Sequence, residues 1–316
     1  MIDSSNHSRP KAFVTGATGF IGRYLVRALA QMGWTVYILV HDRSFEVFDG
    51  QTSVNLVNGR LEDSESLEAL ISQVDIVYHL AAHIPANQRD SKYANSCIDV
   101  NALGTLRLAE KILQNPARRF VYFSTANLFQ LGPNVVTESA PLYPSEYATY
   151  YLGSKLLGEL YVEHLRHTRE LNSVVLRLSS VYGFGMPSKS VVANFMNLAI
   201  DNKPLQVWDG GRACWDFIYV EDVVQVAIQA GQKGEPGVYN LGSGRSRSTL
   251  DLAHAVASVF KDQSIKIEVM PSTTERPFVL PTLSIQKAQA SWHYSPTQLE
   301  EGLTLYRAAL ISEKQA

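Results

Sequence analysis

The sequence predicts an α/β fold, a doubly wound parallel sheet with a smaller, partly interleaved C-terminal substrate domain. Three observations carry that expectation. Short apolar runs alternate with longer runs of helical period over the first 180 residues. A glycine-rich turn joins the first apolar run to the first helical pattern. Beyond Tyr182 the rhythm loosens among Gly183, Gly185, Pro187, Pro204, Gly210 and Gly211.

Taken in order, Ala12–Thr15 reads as the first strand, and Gly33 stops a helix running from about Phe20 to Met32. Strands follow at Thr35–Val40, Val54–Val57 and Ile76–Leu80. A helix over about Asp99–Leu113 leads to a strand at Phe120–Phe123, and a helix over about Ser145–His167 leads to one at Val174–Leu178. The first domain is accordingly read as residues 1–180 and the second as mainly 181–316, with about 215–245, Val238–Leu241 included, returning to the first. Near the end, Ser295-Pro296 reads as a helix start with Gln298 placed for a capping box; Leu299, Leu303, Tyr306 and Leu310 follow at helical spacing.

Composition narrows the function classes. Lys+Arg 28 against Asp+Glu 30 gives a formal net charge of -2 without a basic stripe, which argues against a nucleic-acid partner. Cys97 and Cys214 are too few for a disulfide framework or a thiolate metal cluster, and fit a reducing compartment. Met1–Lys11 lacks the apolar core of a signal peptide, and no apolar run approaches the roughly 20 residues of a membrane span. A cytoplasmic protein without a membrane partner is the expectation. No metal site is expected either: His164 and His167 fall near a helix end, and His7, His83, His254 and His293 form no ligand series.

The strongest local signal is Thr15-Gly16-Ala17-Thr18-Gly19-Phe20-Ile21-Gly22. It follows a strand and opens a helix, so its backbone N–H groups and the positive helix end face a pyrophosphate, as in a Rossmann-type dinucleotide site. Gly16 permits the tight turn, Gly19 the approach of phosphate and Gly22 close packing of the helix. At the tip of the second strand an acid would select NAD through the ribose hydroxyls, and a base would select the extra phosphate of NADP. The chain offers Leu39-Val40-His41-Asp42-Arg43: Val40 is apolar, His41 or Arg43 suits a 2′-phosphate, and Asp42 keeps NAD open. NADP(H) is therefore expected ahead of NAD(H).

Tyr151 and Lys155 lie four residues apart, hence on one helix face. A phenol with a pKa near 10 is a poor base until a cation favours its phenolate, and Lys155 supplies one while also reaching the nicotinamide ribose. Thr125, beside Ser124 at a strand end, offers a hydroxyl for the substrate oxygen. Such a set moves a proton to or from a carbonyl oxygen as hydride moves at its carbon. A solvated helix pair is the bland alternative, and Tyr147 and Tyr150 lack a lysine four positions on.

Further stretches fall in one order along the chain: His79–Ala82, Asn101–Thr105, Ser124-Thr125, Tyr151–Lys155, Leu176-Arg177, Val181–Gly183, Asp216–Asp222, Tyr239–Gly244 and Arg276-Pro277. Through them and the glycine turn, the chain resembles the extended short-chain dehydrogenase/reductase family, also described as the NAD-dependent epimerase/dehydratase family, over nearly its full length. The resemblance implies a Rossmann cofactor domain, a small substrate domain, and a homodimer formed through two long helices. It implies Thr125, Tyr151 and Lys155 as the catalytic set and a cofactor lining at Leu80, Ala81 and Ala82, to which Leu61, Asn101 and Ser124 are added. His83 and Ala126 join Thr125 on the substrate side.

The departures from the family pattern bear on the reaction. Gly59-Arg60-Leu61 stands where an adenine-contacting acid is common, with Asp63 displaced, so Arg60 either stacks on adenine or faces water. Ala126-Asn127 replaces the Asp-Glu pair of the family's sugar 4,6-dehydratases, which disfavours water elimination. Ser180 stands for a substrate-side Asn and Trp215 for an Arg that meets a diphosphate. Arg212 or Arg276 compensates, or Trp215 is an apolar wall of a site for a smaller carbonyl metabolite. The first reading is a reductase of a 4-keto group on a nucleotide-linked deoxysugar; the alternatives are an NAD-dependent nucleotide-sugar 4-epimerase and a reductase of a non-nucleotide carbonyl. A binding protein without turnover is disfavoured by the retained Thr125, Tyr151 and Lys155. If His41 or Arg43 meets a 2′-phosphate, replacing both with alanine weakens NADPH binding more than NADH binding in calorimetric titration; a wild-type preference for NADH overturns that assignment.

Overall fold

The computed structural model describes residues 9–40, 53–61, 64–115, 118–144 and 146–315. His41, Asp42 and Arg43, on which the NADP expectation rests, lie outside the described residues. Strand β1 (Lys11–Thr15) is apolar and ends in the glycine turn, and α1 (Phe20–Gln31) follows, closed by Gly33 at φ 80. Next come β2 (Thr35–Val40), β3 (Val54–Asn58), α2 (Ser64–Ile71) and β4 (Ile76–His79), whose four residues are all buried. The helix expected at 99–113 is longer and irregular: α3 (Ala94–Cys97) passes through a π turn (Ile98–Leu103) into α4 (Gly104–Leu113). β5 (Arg119–Thr125), β6 (Val135–Val136), α5 (Thr149–Arg169) and β7 (Ser173–Leu178) follow. The C-terminal run is β8 (Ser180–Tyr182), α6 (Val191–Ile200), β9 (Leu205–Val207), β10 (Cys214–Tyr219), α7 (Val220–Gln232), β11 (Gly237–Leu241), β12 (Ser246–Ser248), α8 (Thr249–Val259), β13 (Ile267–Val269), β14 (Thr282–Leu283), α9 (Gln286–Trp292) and α10 (Leu299–Gln315).

The main sheet has seven strands in the order β11-β7-β5-β4-β1-β2-β3. β1 pairs parallel with both β2 and β4, and β2–β3 and β4–β5 are parallel too. The chain reverses its direction of travel across the sheet between β1 and β4, the switch point at which open α/β sheets bind ligands beyond their strand ends. This is the mostly parallel, doubly wound α/β architecture with flanking helices that the alternating pattern predicts.

The chain forms two compact units, Met1–Phe123 with Ala148–Val175 and Ala227–Gly237, and Ser124–Tyr147 with Leu176–Val226 and Val238–Ala316. The division is finer than a boundary at 180 with a return at about 215–245: residues 124–147 group with the second unit, and 227–237 return to the first. In the first unit, Arg119 at the foot of β5 donates to the carbonyls of Ala230 (3.0 Å) and Gly234 (2.7 Å). These are carbonyls that the end of α7 leaves without helical partners. In the second unit, α8 starts with a capping box in which Ser248 Oγ accepts from Asp251 N at 3.0 Å and the Asp251 carboxylate accepts from Ser248 N at 2.9 Å.

Helix α10 buries Leu299, Leu303, Tyr306 and Leu310, the face its spacing predicts. Its entry differs from the expected capping box, because neighbours outside the helix take the polar groups. Thr297 donates from N and Oγ1 to Asp222 (2.8 and 2.7 Å), and Gln298 Oε1 accepts from Arg245 (2.9 Å). Gly302 is required here, since an added Cβ would fall on the Tyr182 hydroxyl.

Register places Thr15 opposite His79 across β1 and β4, and Thr15 Oγ1 lies 2.7 Å from His79 Nδ1. Both residues are fully buried. Burial, and then the nearby Lys155 ammonium, push the imidazole pKa down to about 3 from 6.5. An unfolded His79 takes up its proton near 6.5, so between 6.5 and about 3 the unfolded chain binds more protons and stability is lost as the pH is lowered. Moving from pH 7 to pH 5 should cost the wild type about 2 kcal/mol more than His79→Gln in urea unfolding. Parallel pH curves for the two proteins would contradict this.

Candidate active site

The first unit carries the glycine turn, the candidate cofactor cradle, and the tyrosine–lysine pair. Gly16 takes φ 71, and a Cβ there would lie 2.6 Å from Ala81 N and 2.7 Å from Leu80 C, so no side chain fits between the turn and the segment after β4. A Cβ on Gly22 would lie 2.8 Å from Ala17 Cα, so glycine there lets the helix press on its own turn. Gly19 is the N-cap of α1, and its N–H bonds Gly16 O at 3.1 Å. The helix start has no side-chain cap and no acid in its first turn. Thr18 and Gly19 are exposed and Phe20 and Ile21 half-buried, which leaves the turn open to an anion.

Asn101 sits in the π turn, fully buried. Its Oδ1 accepts from His83 N (2.7 Å), and its Nδ2 donates to His83 O (3.0 Å) and Ser154 Oγ (2.9 Å). Ser154 Oγ donates to Tyr151 O at 2.8 Å. One buried amide thus ties the segment following Ala81 and Ala82 to the helix of Tyr151 and Lys155. His83 lies half-buried beside Tyr93, ring centroids 5.8 Å apart, and its Nε2 has no hydrogen-bond partner among the described residues. Leu61 packs on α4, 3.0 Å from the position of a Cβ on Gly104, while Arg60 is exposed.

Lys155 is 3 % exposed; its Nζ donates to Phe123 O at 2.7 Å and lies 4.2 Å from the centre of the Tyr122 ring. Burial lowers its pKa to about 7, with Glu159 opposing. Burial, reinforced by Cys97, pushes Tyr151 up to about 12, and its hydroxyl makes no hydrogen bond among the described residues. Tyr151 is therefore a neutral phenol at working pH, able to give a proton. To withdraw one it needs a cation, and Lys155 is the ammonium one turn along its helix.

The second unit holds the remaining expected residues. Thr125 Oγ1 accepts from Asn127 N at 3.2 Å, closing the turn after β5, and Ser124 is buried. Ala126 and Ser180 come together on a cavity of about 10 Å³ with Asn127 and Asp216, room for one water. Trp215 Nε1 donates to Thr249 Oγ1 at 3.4 Å, and its ring lies 5.1 Å from Phe278, a half-buried aromatic wall. Arg212 is engaged with the segment after β13, donating to Ser272 Oγ and to Thr274 O (2.5 Å). Arg276 is exposed without a hydrogen bond among the described residues, so it is the more available of the two cations.

Sequence reasoning missed Ser154, Thr15, Thr105 and the role of Asp216. Ser154 lay inside the Tyr-Lys spacing and could have been read as its buried neighbour. Asp216, 2 % exposed, accepts from Ser243 N and Oγ (both 2.7 Å), Gly244 N (3.2 Å) and Leu283 N (3.2 Å), a gathering of distant segments no local pattern announces. The first unit's larger cavity, about 430 Å³ between Trp34, Ile76, Arg119 and Gly234, opens at the amino ends of the strands, opposite the cradle. Among the described residues no cluster of His, Cys, Asp or Glu could hold a metal, and no helix is long and apolar enough to cross a membrane.

Comparison with known proteins agrees with this geometry. The chain is 25% identical to the dTDP-D-glucose 4,6-dehydratase of Bos taurus over 82% of its own length and 75% of the relative's. It is 27% identical to a putative UDP-glucose 4-epimerase of Methanocaldococcus jannaschii, with 92% and 95% of the two chains covered. Its structure is similar to that of the UDP-glucose 4-epimerase of Thermotoga maritima solved with UDP-glucose, at TM-score 0.83 and 25% identity over 96% of this chain and 99% of that one. The NAD dependent epimerase/dehydratase family matches residues 12–242, and with the glycine turn at the sheet's switch point and the Tyr151–Lys155 pair on α5, the chain belongs to that family, as an NAD(P)-dependent enzyme of the extended short-chain dehydrogenase/reductase type.

Proposed function

We propose that this enzyme carries out NAD-dependent hydride transfer at the 4-position of a nucleotide-linked sugar, as a 4-epimerase. One observation carries the reading: Tyr151 and Lys155 are held one helical turn apart on α5 and tied through Ser154 and Asn101 to the segment after β4, while Ala126-Asn127 stands where elimination of water needs two acids. The pair suffices for proton transfer at a carbonyl or alcohol oxygen, and nothing at 126–127 supports the dehydratase chemistry named for the bovine relative. The epimerase reading is supported by similar epimerases from Methanocaldococcus jannaschii and Thermotoga maritima, and by the structure of a UDP-glucuronic acid 4-epimerase with NAD.

The residues fit a dinucleotide. Gly16, Thr18, Gly19, Phe20, Ile21 and Gly22 would hold the pyrophosphate, Leu80–Ala82 would line the nicotinamide half, and Lys155 would reach the ribose. When bound, the nicotinamide supplies the hydride acceptor and donor. Tyr151 moves the proton: as the phenol it donates to a keto oxygen, and as the phenolate favoured by the Lys155 ammonium it accepts from an alcohol. Thr125, His83, Ala126, Ser180, Trp215 and Arg276 are assigned to the substrate. Lys155 now donates to Phe123 O, so serving Tyr151 or a ribose requires its side chain to turn.

A 4-keto sugar reductase using NADPH is the second reading, favoured by Val40, His41 and Arg43. A third, a reductase of a smaller carbonyl metabolite, is favoured by Trp215 and by the engagement of Arg212 with the segment after β13. The proposal includes a homodimer, for which α5 exposes Leu160.

Mass spectrometry of metabolites trapped by the Tyr151→Phe protein identifies the substrate class, an NDP-sugar being expected. With that compound and the wild type, inversion at carbon 4 without net change in nicotinamide absorbance establishes the epimerase, whereas stoichiometric loss of NADPH establishes the reductase. Tyr151→Phe should lower single-turnover hydride transfer by about 10²–10⁴-fold, with NAD affinity within about twofold of wild type because the ring and its packing remain. Transfer near the wild-type rate in a cofactor-loaded Tyr151→Phe protein would overturn the proton role.

A further inference from the structure

An unbroken line of buried hydrogen bonds runs from the glycine turn to the helix of Tyr151. Ala81 N donates to Thr15 Oγ1 (3.3 Å), and Thr15 Oγ1 meets His79 Nδ1 (2.7 Å). His79 Nε2 meets Thr105 Oγ1 (2.9 Å), and Thr105 Oγ1 donates to Asn101 O (2.7 Å). Asn101 Nδ2 donates to Ser154 Oγ (2.9 Å), which donates to Tyr151 O (2.8 Å). Thr15, His79, Asn101, Thr105 and Ser154 are all fully buried, so water is not available as a replacement partner for any of them.

The ends of the line fix its direction. Thr105 has one hydroxyl proton and uses it on the Asn101 carbonyl, so towards His79 it can only accept. His79 therefore carries its proton on Nε2 and presents a lone pair at Nδ1. Thr15 donates to that lone pair, and its oxygen is left to accept the Ala81 N–H. A single neutral tautomer satisfies every member. The rings of Phe120 and Tyr122 cluster with the imidazole at centroid distances of 6.0 and 5.6 Å, and lie 6.3 Å from each other.

We propose that His79 is a positioning residue with two separable duties: through Nδ1 and Thr15 it sets the Leu80–Ala82 segment against the glycine turn for the cofactor, and through Nε2, Thr105 and Asn101 it sets the start of α5 for Tyr151. The inference rests on the reading of the glycine turn as the cofactor cradle and of Tyr151 as the proton donor. A histidine that only filled the core would contribute stability to both regions together. A positioning histidine lets them be separated.

The two nitrogens can be replaced one at a time. Asn places an amide atom near Nδ1 and loses the reach to Thr105; Gln places its amide nitrogen near Nε2 and loses the contact with Thr15. Binding of NAD+ and NADH is measured by calorimetry, and order at the two ends by amide hydrogen exchange of peptides covering 80–83 and 151–155. His79→Ala should lose at both ends. His79→Asn should restore dinucleotide affinity to within about twofold of wild type yet leave 151–155 exchanging faster. His79→Gln should restore slow exchange at 151–155 yet bind NADH roughly five- to tenfold more weakly, the worth of one buried hydrogen bond. Thr15→Val and Thr105→Val, which keep the branched shape and break the same two bonds together with those to Ala81 N and Asn101 O, should reproduce the His79→Gln and His79→Asn patterns respectively, and they decide the matter if the histidine variants do not fold. Parallel losses at both ends in every variant overturn the role of His79 while leaving the cofactor reading intact. A wild-type protein that binds none of NAD+, NADH, NADP+ and NADPH removes that reading and this inference with it.

Discussion

No side chain fits between Gly16 and the backbone of Leu80 and Ala81, and much of the first unit is arranged around that closeness. Two strands that neighbour each other in the sheet, β1 and β4, emerge side by side, and the main chain of Gly16 comes directly against that of Leu80 and Ala81. The left-handed φ of 71 at Gly16 turns the chain away, and Gly22 lets the first helix come back against the same turn. The helix start faces outward as a result, with its first N–H groups free of any side-chain cap. Parallel pairing at the switch point thus places an anion-seeking helix end beside a second loop.

The electrostatics of the tyrosine–lysine pair follow from burial. Taking Lys155 out of water brings it to about 7, and taking Tyr151 out of water raises it to about 12. Both shifts favour the neutral forms, so in this state the protein suits giving a proton better than taking one. The lysine rests on a carbonyl and an aromatic face. These contacts compensate a partly charged amine and can be exchanged for others of similar kind. The Thr-Tyr-Lys pattern alone does not set the direction of the reaction; the environment a ligand creates around Lys155 has to contribute.

The strands of the first unit, the glycine turn and the Tyr-Lys spacing were legible in the sequence because each depends on local periodicity or on a turn residue with a stereochemical reason. The π turn was not: Asp99–Leu113 has helical spacing on either side of an extra residue, and periodicity over a window averages that away. The start of α10 misled for another reason. Ser295-Pro296 and Gln298 satisfy the local rule for a cap, but Asp222 and Arg245, distant in sequence, take the polar groups instead. The buried line through His79 was invisible because its members come from four separate segments, and only the register of β1 against β4 brings the first two together. Residues 124–147 group with the second unit because of contacts made far along the chain, which no local pattern carries.

The π turn at Ile98–Leu103 also bears on how the chain tolerates changes of length. A π turn holds one residue more than a regular helical turn, so deleting a single residue there would give a smoother helix with better local hydrogen bonding. Local energetics therefore favour the shorter version, and what holds the longer one is Asn101, bonded on both sides of His83 and again to Ser154. The wide turn is held by its tertiary partners, not by its own helical hydrogen bonding. A variant shortened by one residue would keep its helix, its core and its sheet, and would lose the register between the segment at His83 and the start of α5.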